Sequence, residues 1–309
     1  MAEALTAPLQ TMRARRGLLP YAGLLLLGLI WGSSFLFIKL AVADVGPQAL
    51  VFGRCLTATA ALALVLAVRG RSPLTAANRQ RMPRCLAMAL LNSVIPWLGL
   101  AYGELAVSSG LTSILNSTTP LWTALLAWWL TPAERLRPLN GFGVVLGFLG
   151  TAALILPDLR IGGARATLVG SGCVLLAALS YALAALYQRR RLRDASPFDA
   201  GFWQMALTAV VMLPLAVLAA ASARLSWAAI MSVVALGVGA SCVGIVLYYW
   251  LLNRLGAAGA SSVNYLLPAT AVLWGVLFLH ETVTLLMLSG AVIILGGVFL
   301  TSLPRSRPA

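Results

Sequence analysis

The chain is a series of apolar blocks, each about 20 residues long, separated by short loops in which arginine recurs. Twenty residues of helix rise about 30 Å, the thickness of a bilayer hydrocarbon core. In that layer no water reaches the backbone, so each spanning segment must satisfy its own N–H and C=O groups. Of the residues, 61% are hydrophobic and only 10% charged, whereas a soluble domain carries roughly 25% charged residues. A soluble helical bundle would need polar stripes that these blocks lack. Cys55, Cys85, Cys173 and Cys242 are scattered through apolar stretches without a C-x-x-C pair, so they read as small buried hydrophobes rather than a disulfide or zinc framework.

Ten spans can be drawn, at 20–43, 48–68, 85–103, 109–130, 139–157, 167–188, 199–221, 228–251, 258–279 and 283–303. The first is preceded by Arg13, Arg15 and Arg16 like a signal peptide, but it runs on without an A-x-A-like cleavage site and reads as a transmembrane helix. The net charge of +14 sorts by topology rather than toward nucleic acid. With the N-terminus in the cytoplasm, seventeen arginines fall in inside segments: Arg13, Arg15 and Arg16; Arg69, Arg71, Arg79, Arg81 and Arg84; Arg135 and Arg137; Arg189, Arg190, Arg191 and Arg193; Arg254; Arg305 and Arg307. Three, Arg160, Arg165 and Arg224, fall outside. This is the positive-inside pattern, with both termini cytoplasmic.

The chain also repeats itself. GLTSILNSTTPLW around the fourth span and GASSVNYLLPATA around the ninth share S-x-x-N-x-x-x-P, with Ser113, Asn116 and Pro120 meeting Ser261, Asn264 and Pro268. Glu134 and Glu281 follow those prolines, Gly141 and Gly147 match Gly290 and Gly296, and Pro47–Arg54 matches Pro197–Gln204. Each copy holds five spans, an odd number, so the second must insert upside down. Inverted repeats of this kind place a transport site near the midplane at their interface. The expected organisation is an all-α membrane protein of ten transmembrane helices in two inverted five-helix repeats. Its parts are a cytoplasmic tail (1–19), a first repeat (20–157), an outer linker (158–166), a second repeat (167–303) and a second cytoplasmic tail (304–309).

The opening WGSSFLFIKLAV (Trp31 to Val42), the Pro47–Arg54 segment, and the proline-to-glutamate stretch followed by a glycine-rich span at 120–150 and 268–297 resemble the drug/metabolite transporter superfamily, in particular its EamA-type branch. The resemblance covers nearly the whole chain. It implies a ten-helix carrier of metabolites, amino acids or drugs in the inner membrane of a bacterium, without naming a substrate.

Charge inside a membrane faces a cavity or a partner. Lys39 and Arg54 align with Gln188 and Gln204, so only the first repeat keeps the cations. With Asp44 and Glu104 they are expected to form one outer charge cluster, either an ion-pair latch or a cationic vestibule. Polar and aromatic residues expected along the pathway are Trp31, Ser34, Asn92, Tyr102, Asn116, Tyr181 and Asn264, together with Lys39, Arg54, Gln188 and Gln204. An amide in lipid needs either an interhelical bond or a wet cavity, and both uses stay open for Asn116 and Asn264. Pro120 and Pro268 are candidate hinges. Gly28-x-x-x-Gly32 and Gly143-x-x-x-Gly147 allow close helix approach, within one copy or in a homodimer.

No metal site is expected, since His280-Glu281 lacks the second histidine of H-E-x-x-H, and no cofactor or nucleic-acid partner. With no carboxylate near a helix midpoint, a neutral, zwitterionic or anionic metabolite is favoured over a cationic drug. The leading function is a secondary transporter, not an enzyme, that moves an amino acid or related solute outward by alternating access, with protons or a counter-solute as possible partners. Drug export and metabolite import are the alternatives within transport, and an intramembrane enzyme acting on a lipid-linked substrate is the remote one. The topology predicts that labels at positions 75 and 160 react from opposite sides of the membrane. Labelling from one side by a membrane-impermeant reagent checks this.

Overall fold

The computed structural model describes residues 18–130, 138–155, 164–192 and 196–303, and all its regular elements are helical. Arg13, Arg15, Arg16, Glu134, Arg135, Arg137, Arg160, Arg193, Arg305 and Arg307 lie outside the described residues. The helices are α1 (Leu18–Val68), α2 (Ala76–Ala89), α3 (Ile95–Ala106), α4 (Ser109–Asn116), α5 (Thr119–Leu130), α6 (Pro138–Ile155), α7 (Ala164–Arg191), α8 (Pro197–Ala219), α9 (Trp227–Val234), α10 (Gly244–Ser261), α11 (Val263–Leu279) and α12 (Leu285–Ser302). A π-helical turn, Leu90–Val94, joins α2 to α3, and a longer one, Ala235–Val243, joins α9 to α10.

Eight helical stretches among the described residues are long and apolar enough to cross a bilayer, against ten expected. The difference has two physical sources. α1 has 51 residues, about 75 Å if straight and more than twice a hydrocarbon core. It is broken at Gly46 (φ 75°, ψ 163°), and Pro47 opens the next helix. Only glycine adopts that φ without strain, and proline at a first helical turn costs no hydrogen bond. The fourth expected span is divided into α4 and α5, of 8 and 12 residues. At the division the hydroxyls of Ser117 and Thr118 donate back to the carbonyls of Ile114 and Leu115, so the interrupted backbone is satisfied locally, as a membrane requires. The third expected span begins nine residues early, because Thr75 caps α2 by accepting from the Asn78 N–H.

Contacts between turns sort into two ends of the bundle. At the Gly46 end, the Asp44 carboxylate accepts from the Ser226 hydroxyl, and the Asp44 carbonyl accepts from the Arg224 N–H at 2.8 Å. Ser226 also caps α9. At the opposite end, Arg71 pairs with Asp199 at 3.0 Å, the Trp203 indole donates to the Pro73 carbonyl, and the Asn140 amide donates to the carbonyls of Leu300 and Thr301.

The helices approach one another over small residues. Gly28 and Gly32 of α1 lie against Leu266 and Thr270 of α11, and the Thr270 hydroxyl donates to the Gly28 carbonyl at 2.9 Å. Gly99 and Gly103 of α3 meet Cys173 and Val174 of α7. Gly143 and Gly147 of α6 face Gly297 and Leu121. Both small-residue motifs are thus used within one chain. Cys55, Cys85 and Cys242 are buried, and all four cysteines are free thiols.

α6 and α12 are in near backbone contact. A Cβ placed on Gly297 would lie 2.5 Å from the Gly143 carbonyl oxygen and 2.7 Å from the Gly147 nitrogen, whereas one on Gly296 would meet nothing within 4 Å. Gly297→Val should therefore cost at least about 1–3 kcal/mol through overpacking. Gly296→Ala should be neutral or slightly stabilising, as expected for glycine to alanine in a helix interior. Thermal unfolding of the two purified variants checks the contrast.

Candidate functional site

A π turn carries one residue too many for the i to i−4 ladder, and π bulges collect at functional sites. Here the turns occupy equivalent places in the two copies, and each is bonded by polar side chains of the other copy. In Leu90–Val94, the Leu91 carbonyl accepts from the Ser180 hydroxyl of α7 at 2.7 Å, and the Ser93 hydroxyl accepts from the Gln204 amide of α8 at 2.8 Å. In Ala235–Val243, the Ala240 carbonyl accepts from the Trp31 indole of α1 at 3.0 Å, and the Ser241 hydroxyl accepts from Arg54 Nε at 3.0 Å. Ser93 and Ser241 are 148 residues apart, the spacing of Pro120 and Pro268. The four bonds form two pairs related by the repeat.

The pairs differ in charge. Gln204 is neutral. Arg54 is a guanidinium with 7% of its surface exposed, and it lies 3.6 Å above the centroid of the Trp97 ring. Tyr181 and Cys55 also lie near enough to act on its charge. Neither terminal nitrogen of Arg54 has a protein acceptor among the described residues, and the single ion pair described is Arg71–Asp199 at the far end. A cation–π contact and one hydroxyl support this charge but do not neutralise it. Its terminal nitrogens keep donors in the fork geometry that matches a carboxylate.

The expected four-residue cluster is divided. The Lys39 ammonium donates to the backbone carbonyls of Glu104 (2.5 Å) and Val107 (2.8 Å), not to a carboxylate. Asp44 bonds Ser226 and Arg224, as above. Arg54 turns to Ser241. The Glu104 carboxyl is fully buried, and neither of its oxygens has a partner among the described residues.

The other expected residues are dispersed. Trp31 stacks on Tyr248 with ring centroids 5.5 Å apart. Asn92 lies in the first π turn, half-buried. Ser34 Oγ and Asn116 Oδ1 are buried without a partner among the described residues. Gln188 reaches Tyr249. Asn264 is exposed, and so is Tyr102, whose hydroxyl accepts from Gln48 at 2.5 Å. Tyr102 borders a shallow groove of about 490 Å³ between α3 and α7, away from Arg54. The two prolines are not equivalent in place, since Pro120 is the second residue of α5 whereas Pro268 lies inside α11.

Ser93, Ser180, Ser241 and Trp97 were not anticipated, although the 148-residue spacing of Ser93 and Ser241 is visible in the sequence. Glu281 acquires a role as well. His280, left-handed at φ 53°, ends α11 and sends Glu281 onto the N-terminus of α4. There its carboxylate accepts from the Ser109 N–H (2.8 Å), the Ser109 hydroxyl (3.0 Å) and the Gly110 N–H (3.1 Å). An anion at that position satisfies free donors and the helix dipole together.

Two segments, 18–156 and 168–303, match the EamA-like transporter family. The "Uncharacterized transporter YoaV" of Bacillus subtilis is 26% identical over 92% of this chain and 97% of that protein. The "WAT1-related protein At3g02690, chloroplastic" of Arabidopsis thaliana is 27% identical over 90% of this chain and 68% of its own length. The "Uncharacterized inner membrane transporter YedA" of Escherichia coli K12 is 26% identical over 85% and 84%. A chain of known crystal structure superposes with a TM-score of 0.62 at 20% identity, over 92% of this chain and 96% of that one, and so shares the fold.

The two repeat-related serines offer an internal comparison. A hydrogen bond to a charged group contributes about 1.5–3 kcal/mol and a neutral one about 1 kcal/mol. Ser241→Ala, which strips from the Arg54 side chain its one hydrogen bond among the described residues, should lower the unfolding temperature more than Ser93→Ala does. Thermal unfolding in one detergent checks the order.

Proposed function

Since the chain belongs to the EamA-like transporter family, we propose that it is a secondary transporter of a small carboxylate-bearing metabolite, an amino acid or related anion, working by alternating access across the seam of its two repeats. The observation that carries this reading is Arg54, a permanent cation buried among helices with no acid beside it among the described residues. A charge of that kind is expensive in a membrane interior unless something pairs with it. A solute carboxylate bound bidentately would pair it transiently, and the Trp97 and Tyr181 rings would flank the bound solute. Charge held by the protein at a fixed place also selects, because a cationic solute would be repelled from the same position.

On this reading the chain crosses the membrane ten times, with α1 giving two crossings and α4 and α5 together giving one. The arginine bias of the sequence supports cytoplasmic termini. The membrane is a bacterial inner membrane, a reading supported by the name of the Escherichia coli relative. The cross-repeat bonds of Trp31, Arg54, Ser180 and Gln204 lie where two inverted halves would rock against each other. Substrate on the terminal nitrogens of Arg54 would sit beside the Nε–Ser241 bond, which brings the occupied site next to the hold between repeats.

The test is flux in proteoliposomes, using radiolabelled L-amino acids, labelled dicarboxylates and the cationic dye ethidium as probes. Wild-type protein should carry at least one of the carboxylate solutes and not the dye. Arg54→Gln, which installs the residue of the second repeat, should weaken apparent affinity by about 30-fold or more, the cost of deleting one partner of a buried charge pair. Transport of the dye alone, or full activity in Arg54→Gln, would overturn the assignment.

A further inference from the structure

Glu104 is completely buried on α3, and neither of its carboxyl oxygens has a hydrogen-bond donor among the described residues. Glu281, nearby, has three. The charged groups that act on Glu104 are the Lys39 ammonium from α1 and the Glu281 carboxylate that follows α11. Lys39 is engaged with the carbonyls of Glu104 itself and Val107. Helix α7 packs on α3 with Gly170 and Val174 against Gly103. Its titratable or charged groups at this end, Cys173 and Arg165, line the groove that Tyr102 borders. α4 and the Leu90–Val94 turn bring no titratable side chain.

A bare carboxylate in this setting would have lost its water and gained no donor, an arrangement that buried charges avoid. The ammonium that could compensate it is committed to two backbone oxygens, where it neutralises the C-terminal end of α3. Those contacts suit a neutral carboxyl. Together, Lys39 on the last carbonyls of α3 and Glu281 on the first N–H groups of α4 pin both sides of the turn at Val107 and Ser108. Glu104 lies beneath that turn, within reach of the cation that holds half of it.

On the transporter reading above, we propose that Glu104 is a proton-binding site whose occupancy is coupled to the transport cycle. With the proton bound, Lys39 keeps the carbonyls of Glu104 and Val107, and the α3–α4 turn is held. When the proton passes to water, the carboxylate left behind draws the Lys39 ammonium, which then gives up the Val107 carbonyl and frees the turn at the Gly46 end. One O–H bond breaks and the same bond re-forms on return, so no other reactant is needed.

Two measurements test this, one of them independent of the solute. In an infrared pH titration, reconstituted wild-type protein should show a protonated-carboxyl C=O stretching band that bleaches as pH rises. Glu104→Gln should lack the band, and Glu104→Asp, which keeps an acid, should shift it. In proteoliposomes with the labelled amino-acid mixture, an imposed pH gradient should stimulate wild-type uptake, whereas Glu104→Gln should retain solute counterflow and lose that stimulation. Absence of a titrating band in the wild type, or an undiminished band or gradient response in Glu104→Gln, would overturn the proposal. A wild type that shows the Glu104 band but moves none of the labelled solutes defeats the substrate reading while supporting the proton site.

Discussion

A helix in a hydrocarbon layer has no water on which to rest an unpaired carbonyl, and this chain interrupts its backbone ladder in two equivalent places. The π turns at Leu90–Val94 and Ala235–Val243 expose backbone acceptors. Donors from the opposite copy, Ser180 and Trp31, cover them. The local irregularity thus becomes the link between repeats, because each half completes hydrogen bonding that the other leaves open. Arg54 and Gln204 follow the same geometry one and two residues along, on Ser241 and Ser93. What distinguishes the two sides of the seam is one charge imposed on a symmetric set of bonds.

That asymmetry is where function enters. Symmetry alone would give a carrier indifferent to the sign of its solute. On the proposed reading, a guanidinium over Trp97, with its terminal nitrogens unpaired among the described residues, would give the passage a preferred partner. The Gly46 end carries a second asymmetry. Its α3–α4 turn is held from both sides by side chains of opposite sign, Lys39 and Glu281, each matched to the helix end it touches.

Much of this organisation could be read from the residues. Long apolar blocks, arginine placement and the doubled S-x-x-N-x-x-x-P pattern identify an all-helical membrane protein with two related halves, and the two family matches agree with the doubling. The isolated charges Lys39, Arg54 and Glu104 stood out because charge is rare in such a chain. Their grouping did not follow, since spacing along separate helices says nothing of which way each side chain turns. Ser93, Ser180 and Ser241 were hidden for another reason. A serine in an apolar span bonds its own preceding turn at little cost, as Thr57, Thr59 and Thr208 do here, so composition does not separate a linking hydroxyl from a local one. The π turns have no residue signature of their own. The divided fourth span was similarly obscured, because Ser117, Thr118 and Pro120 are each tolerated inside a continuous helix.

The backbone contact between α6 and α12 bears on how the halves can move. At their crossing Gly143 and Gly147 meet the Gly297 backbone, while farther along Gly150 takes Ile293 and Gly290 takes Leu154. Packed surfaces slide by exchanging side-chain rotamers, and at the crossing itself the backbones leave little to exchange. Any rearrangement that kept this contact would be confined to turning about it. The two helices would then act as an axle on one flank of the molecule, and displacement would grow with distance from it toward Arg54 and the π turns.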